Sequence, residues 1–174
     1  MQVELKANGK TVQVEMTEEQ AKILGLAEER SRTGYESVEV EETYYLVDVD
    51  DEITNMKHNG QLDRDCYDVG NYYSNKTIAE NNARADRLLR QLRQWQALND
   101  KSISEKDWND ESKKKWFVAY SYGAEKLYAD YYYIMRLPNT IHFATKEKAE
   151  EAIEVFRDEL IWYFVEYQQR LDEE

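Results

Sequence analysis

Two histidines, one cysteine and a dense run of carboxylates are the residues of this 174-residue chain that could carry chemistry. His58 and His142 would have to meet in space to act as a general acid–base pair, and no spacing in the sequence requires that they do. Cys66 stands between Asp65 and Tyr67, an acidic setting poorly suited to a nucleophile that must ionise to a thiolate. No phosphate-binding glycine loop, zinc spacing or nucleophile elbow occurs. Asp48-Val49-Asp50-Asp51-Glu52 offers carboxylates to a divalent cation but lacks the glycine and terminal glutamate of a calcium loop, so it reads as an acidic turn. No catalytic set, metal or cofactor is therefore assigned. A ribonuclease built on His, Lys and Tyr would leave no motif, and for that reading Tyr72 and His142 are the residues to change.

The acids themselves are the stronger signal. Between Glu36 and Asp68 there are eleven, opposed by Lys57 and Arg64, a local charge of −9 in a chain of net charge −13. Glu39, Glu41, Asp48, Asp50, Asp51, Glu52, Asp63 and Asp65 are interleaved with Tyr45 and Tyr67. Carboxylates fixed on a sheet can imitate a row of phosphates, and tyrosine rings can imitate stacked bases or fill interface pockets. Such a surface would compete for the arginine-rich channel of a nucleic-acid enzyme. The plainer alternative is a solvated face whose charges prevent edge-to-edge aggregation. The overall charge argues against sequence-independent binding of DNA or RNA by the protein itself, because phosphate contacts need Lys and Arg.

One segment departs from the acidity. Lys76, Arg84, Arg87, Arg90 and Arg93 outnumber Glu80 and Asp86 between Lys76 and Leu98. Arg84, Arg87, Arg90 and Arg93 are candidates for contact with nucleic acid. Equally, they can flank an apolar stripe and pair with acids of another module.

The elements that must position these groups follow from periodicity. Val3, Leu5 and Ala7, then Val12, Val14 and Met16, alternate around Asn8-Gly9, which predicts an N-terminal hairpin. Thr17 and Gln20 have capping-box spacing for a short helix carrying Ala21, Ile23 and Leu24, with Gly25 at its C-cap. Residues 28–37 read as a connection. Val38, Val40, Tyr44 and Leu46 alternate as a strand, Asp50-Asp51 turns, and Ile53 to His58 returns. Asn59-Gly60 is another turn, and Tyr67 to Tyr73 reads as a third strand. Ser74 or Asn75 caps a helix to about Leu98 with the stripe Ile78, Ala85, Leu88, Leu89, Leu92 and Trp95. Residues 99–115 form a polar link in which Trp108 docks on a module.

The plan then recurs. Trp116 to Tyr120 and Leu127 to Met135 read as strands around Gly123. Pro138-Asn139 turns into a short strand, Thr140 to Phe143. Thr145 caps a last helix with Ala149, Ala152, Ile153, Phe156, Leu160, Tyr163, Phe164 and Tyr167 on one face. At an offset of 70, Tyr73 falls on Phe143, Asn75 on Thr145, Lys76 on Lys146, Ala79 on Ala149, Glu80 on Glu150 and Arg87 on Arg157. The predicted class is α+β: an N-terminal hairpin–helix segment (1–34), then two repeated antiparallel strand–strand–(strand)–helix modules (35–105 and 106–174). Val155, Ile161, Trp162 and Val165 make a second apolar strip on the last helix, which points to a homodimer or a tight interface between modules. One cysteine, no apolar run of ~18 residues and no basic-then-apolar start predict a cytoplasmic chain.

The pattern aromatic, x, Asn/Thr, Lys, x, x, Ala, Glu occurs at Tyr73 to Glu80 and again at Phe143 to Glu150. With Gly70-Asn71-Tyr72, Thr17 to Ala21 and Leu24-Gly25-Leu26, it resembles small acidic proteins encoded by phages and prophages of Gram-positive bacteria. The resemblance implies a phage protein acting in the host bacterial cytoplasm. Some such proteins inhibit host defence, among them anti-CRISPR proteins that block type II effector nucleases. The expectation is an inhibitor that binds a CRISPR effector nuclease or its guide-RNA complex and occupies its nucleic-acid surface. The alternatives are a phage accessory or structural protein without inhibitory role, or a small ribonuclease acting on guide RNA.

Overall fold

The computed structural model describes residues 2–7, 10–15, 17, 20, 23, 24 and 32–173. The chain forms two compact units, Met1–Thr33 and Gly34–Glu174, so the second unit contains both segments read as modules. It is a mixed α+β protein built on two-stranded antiparallel hairpins.

In the first unit, β1 (Gln2–Ala7) pairs with β2 (Lys10–Glu15) from Gln2 opposite Glu15 to Ala7 opposite Lys10. Thr17 N–H donates to Gln20 Oε1 at 3.0 Å and Gln20 N–H to Thr17 Oγ1 at 3.2 Å, the reciprocal pair of a capping box. The Asn8-Gly9 turn, Met16, Ala21, the Gly25 cap, Leu26 and residues 28–31 of the connection lie outside the described residues.

In the second unit, β3 (Thr43–Val47) pairs with β4 (Ile53–Lys57), Tyr45 opposite Asn55. Val38 and Val40 fall outside the strand: the chain turns at 40–41, with Glu41 at φ 69° and Glu42 N–H bonded to the Glu39 carbonyl. The segment read as a third strand, Tyr67 to Tyr73, is not one: its first two residues end a helix, α1 (Gln61–Asp68), and a turn at 69–70 follows. Asp63 organises the start of that helix. Its carboxylate turns back to accept the N–H groups of Asn59 (2.5 Å) and Gly60 (2.6 Å), which satisfies orphan donors at the helix start. Only Tyr73 pairs as a strand residue, in a single bridge to Tyr45.

Asn75 then caps α2 (Lys76–Asn99), its side chain accepting from Ile78 N–H. This helix buries Ile78, Ala79, Ala83, Ala85, Leu88 and Leu92. A short α3 (Glu105–Trp108) follows, and Trp108 docks with its ring centroid 5.1 Å from that of His142. Next come β5 (Lys115–Ser121) and β6 (Lys126–Tyr132), with Trp116 opposite Tyr131. Phe143 makes a single bridge to Trp116, so the short strand expected at 140–143 is reduced to that pair.

Thr145 caps α4 (Lys146–Val155), and α5 (Arg157–Val165) continues from it. The expected single helix is thus broken at Phe156, where φ and ψ are −112° and 19°. The change of direction buries Trp162 beside Leu160, and Val155 and Val165 stay exposed.

The main core gathers Leu88, Leu92, Phe143, Ala149, Ala152 and Leu160, so α2 packs against the β5–β6 hairpin and its helices. A smaller cluster of Tyr73, Ile78 and Ala79 sits under the β3–β4 hairpin. Gly34 belongs to that contact. At φ 97° a side chain is disfavoured, and a Cβ there would lie 2.8 Å from Ile78 Cγ1.

Candidate functional site: an acidic cleft at the β3–β4 turn

The turn joining β3 and β4 is organised by one of its own acids. Asp48 Oδ1 accepts the N–H groups of Asp50 (2.9 Å) and Glu52 (3.0 Å), and Oδ2 accepts the Thr54 hydroxyl (3.2 Å). The backbone bond from Glu52 leads the causes that hold the Asp48 carboxyl below its ordinary pKa. Asp51 adopts φ 69° and turns its carboxylate towards α2, onto Arg87 and Arg90, both at 2.5 Å. The Arg87 guanidinium is the chief cause of its lowered pKa.

With its flanks fixed, the tip is forced outward. Val49 is 99% exposed, and Asp50 and Glu52 face solvent. Across a cleft of about 600 Å³ stand Val69, 78% exposed, and Gly70 at φ 75°. Asp48, Asp50, Asp51 and Asp86 line this cleft with Arg90 as the cation. The result is a negative groove carrying two exposed aliphatic side chains. Apolar groups so exposed gain from being covered, and acids around them favour a cationic group over an anionic one.

The other acids divide by burial. Glu39, Glu41, Asp50, Glu52 and Asp65 are exposed, and Tyr67 is exposed with one ring edge on Tyr72. Asp63 is a correction. It is 2% exposed and its oxygens are occupied by the Tyr44 hydroxyl (2.7 Å) and two backbone N–H groups, so it cannot belong to a contact surface. The Tyr44 hydroxyl is the leading cause of its depressed pKa, and burial pushes the Tyr44 phenol up. Tyr45 is likewise half-buried against the Tyr73–Ile78 cluster.

The arginines of α2 are mostly engaged inside the protein. Arg84 makes a bidentate pair with Glu159 of α5, both bonds 2.9 Å, and lies 4.0 Å over the Trp162 ring. Arg87 and Arg90 hold Asp51. Arg84, Arg87 and Arg90, named as candidates for nucleic-acid contact, thus each have an acidic partner within the chain. Arg93 is exposed.

Of the residues named for catalysis, His58 and Tyr72 meet, and His142 makes its contacts elsewhere. His58 lies 3.4 Å from the Tyr72 hydroxyl and 3.8 Å from Asp63, within a cluster where the Tyr44 and Tyr72 rings stack at 4.2 Å. His142 sits on the segment leading into α4, 8% exposed, between Trp108 and Phe117. Its Nδ1 donates to the Thr140 carbonyl at 3.1 Å, and Nε2 is buried without a hydrogen-bond partner among the described residues. Burial lowers its pKa.

Among the described residues no group of three or more His, Cys, Asp or Glu is arranged to hold a metal ion. None of their helices is long and apolar enough to cross a membrane. The local acid run signalled the cleft. The part played by Val49 and Val69 carried no sequence signal, because single valines in acidic stretches resemble strand residues. No family model, curated protein or solved structure matches this chain.

Proposed function

We propose that the protein is a binding protein whose acidic cleft docks on a basic nucleic-acid-handling surface, as an inhibitor of a bacterial defence nuclease. A type II CRISPR effector or its guide-RNA complex is the leading target. The observation that carries this reading is the β3–β4 turn. Asp48 and Asp51 are committed to rigidity, and that rigidity presents Val49, Asp50 and Glu52 outward beside Val69. A pre-organised, negatively charged projection loses little entropy on binding and suits an arginine-rich channel. The family resemblance at Tyr73–Glu80 and Phe143–Glu150 supplies the choice of target.

In this reading the second unit arose from two copies of one β–β–α module. Support comes from matching positions. Tyr45–Tyr73 and Trp116–Phe143 form the same bridge, Asn75 and Thr145 the same cap, and Lys76–Glu80 and Lys146–Glu150 the same i,i+4 ion pair. The first copy carries the contact, and the second braces it through Arg84–Glu159.

The test is titration of purified effector–guide complex with the protein at increasing salt, with DNA cleavage read in parallel. Binding that weakens with salt, together with lost cleavage, supports the inhibitor. Guide RNA shortened by the protein would instead favour the ribonuclease, and no binding with unchanged cleavage would favour the accessory role.

A further inference from the structure

In the β3–β4 and β5–β6 hairpins the first strand uses its outer edge to reach the chain entering the next helix. Tyr45 and Tyr73 exchange both backbone bonds, at 2.8 and 2.9 Å, and Trp116 and Phe143 do the same at 3.0 and 2.7 Å. Backbone direction alternates along a strand. The residue two further on, Val47 in β3 and Val118 in β5, therefore aims its N–H and C=O to that same outer side.

At Val47 a side chain meets the demand. The Asn71 carboxamide accepts the Val47 N–H at 2.8 Å and donates to the Val47 carbonyl at 2.8 Å, copying a ladder pair. At the offset of 70 the place of Asn71 is taken by Ile141, which has no polar side-chain atom. Among the described residues no hydrogen bond closes the outer side of Val118, nor that of Tyr120 one strand period further on. At that edge the fold leaves a cavity of about 430 Å³ between β5 and residues 137–141, floored by Leu88, Leu92, Leu160 and Phe164. Half-buried backbone groups facing an apolar wall gain from any partner that supplies both a donor and an acceptor.

We propose that the outer edge of β5 from Val118 to Tyr120 binds an extended peptide segment by strand addition. The backbone of the segment pairs with Val118, and one of its apolar side chains fills the cavity. Two open ladder positions favour a strand over a single amide such as that of Asn71. No charged residue lines the cavity, so the inserted side chain is aliphatic or aromatic. The site is independent of the acidic cleft and stands whether or not that cleft binds a nuclease.

Backbone NMR on the full chain, with the capped peptide acetyl-Val-Leu-Val-amide as probe, tests the proposal. The free protein should show faster amide exchange at Val118 than at Val47. The peptide should give saturable shifts at Val118, Tyr120 and Leu89 and slow the Val118 exchange. Ile141→Asn installs the clamp found in the β3–β4 hairpin. It should protect the Val118 amide without peptide and weaken peptide binding about tenfold or more. Leu89→Trp fills the cavity from α2 and should also abolish binding, which gives a second reading if Ile141→Asn folds poorly. The proposal is overturned if Val118 is as protected as Val47 in the free protein, if the peptide leaves these resonances unmoved, or if the folded variants bind it as well as the natural chain.

Discussion

Asp63 shows how a single residue changes meaning when its surroundings are known. In the sequence it is one more acid in a run of eleven. In the fold it is buried, bonded to Tyr44, and sets the start of α1. Its partner comes from a strand 19 positions away, so no local pattern could report the burial. Gly34 is a second such case, fixed by contact with Ile78. Gly34→Ala should destabilise the protein by about 1–3 kcal/mol in chemical denaturation, because the strained φ and the clash with a buried side chain act together.

His142 gives a pH signature. Burial depresses its pKa in the fold below the ordinary 6.5, so the folded chain takes up the second ring proton at a lower pH than the unfolded chain does. Its contribution to stability is complete above 6.5 and is lost as pH falls from there towards the folded value, because the unfolded chain then binds the extra proton. Asp63, whose folded pKa lies below 3.8, loses its contribution only in stronger acid. Denaturation midpoints measured from about pH 8 to about pH 5 should fall for the natural chain and stay flatter for His142→Leu.

Elements were legible where their signals are local. The turns of the β3–β4 and β5–β6 hairpins and the caps at Asn75 and Thr145 each occupy a few consecutive residues, and each stands in the structure as read; the periodic stripe of α2 buries Ile78, Ala85, Leu88 and Leu92 as expected. The third strands were over-read. Tyr72, Tyr73, His142 and Phe143 alternate and are buried, but only one residue of each pair reaches the sheet. The break at Phe156 carries neither proline nor glycine and arises where Phe156 packs on the main core. Asn75→Ala and Thr145→Ala should each cost about 1 kcal/mol in denaturation, because each leaves an N3 amide without its acceptor. A cost at one cap and none at the other would separate the two modules energetically.

At the scale of the whole molecule, the charge is distributed with purpose. The arginines of α2 hold together parts far apart in sequence, Arg84 to Glu159 and Arg87 and Arg90 to Asp51. In the sequence, the net charge and the acid run are compatible with a basic partner or with a solvated acidic face. What the sequence withheld was which acids are spent on structure and which stay at the surface, since this depends on pairs between elements. Asp50 and Glu52 remain, beside Val49. Replacing Asp51 should loosen the turn and weaken binding indirectly. Replacing Asp50 and Glu52 should weaken binding and leave thermal stability nearly unchanged, because exposed charges contribute little to folding.

The most direct test is therefore the affinity of purified type II effector–guide complex for the natural protein and for the Asp50→Lys, Glu52→Lys variant, measured across a salt series by calorimetry. Tight, salt-sensitive binding by the natural chain and a loss of about 100-fold or more in the variant, with its fold intact, is the result expected from two like-charge juxtapositions at the contact. Binding that neither charge reversal nor salt alters would contradict the acidic cleft as the site of contact.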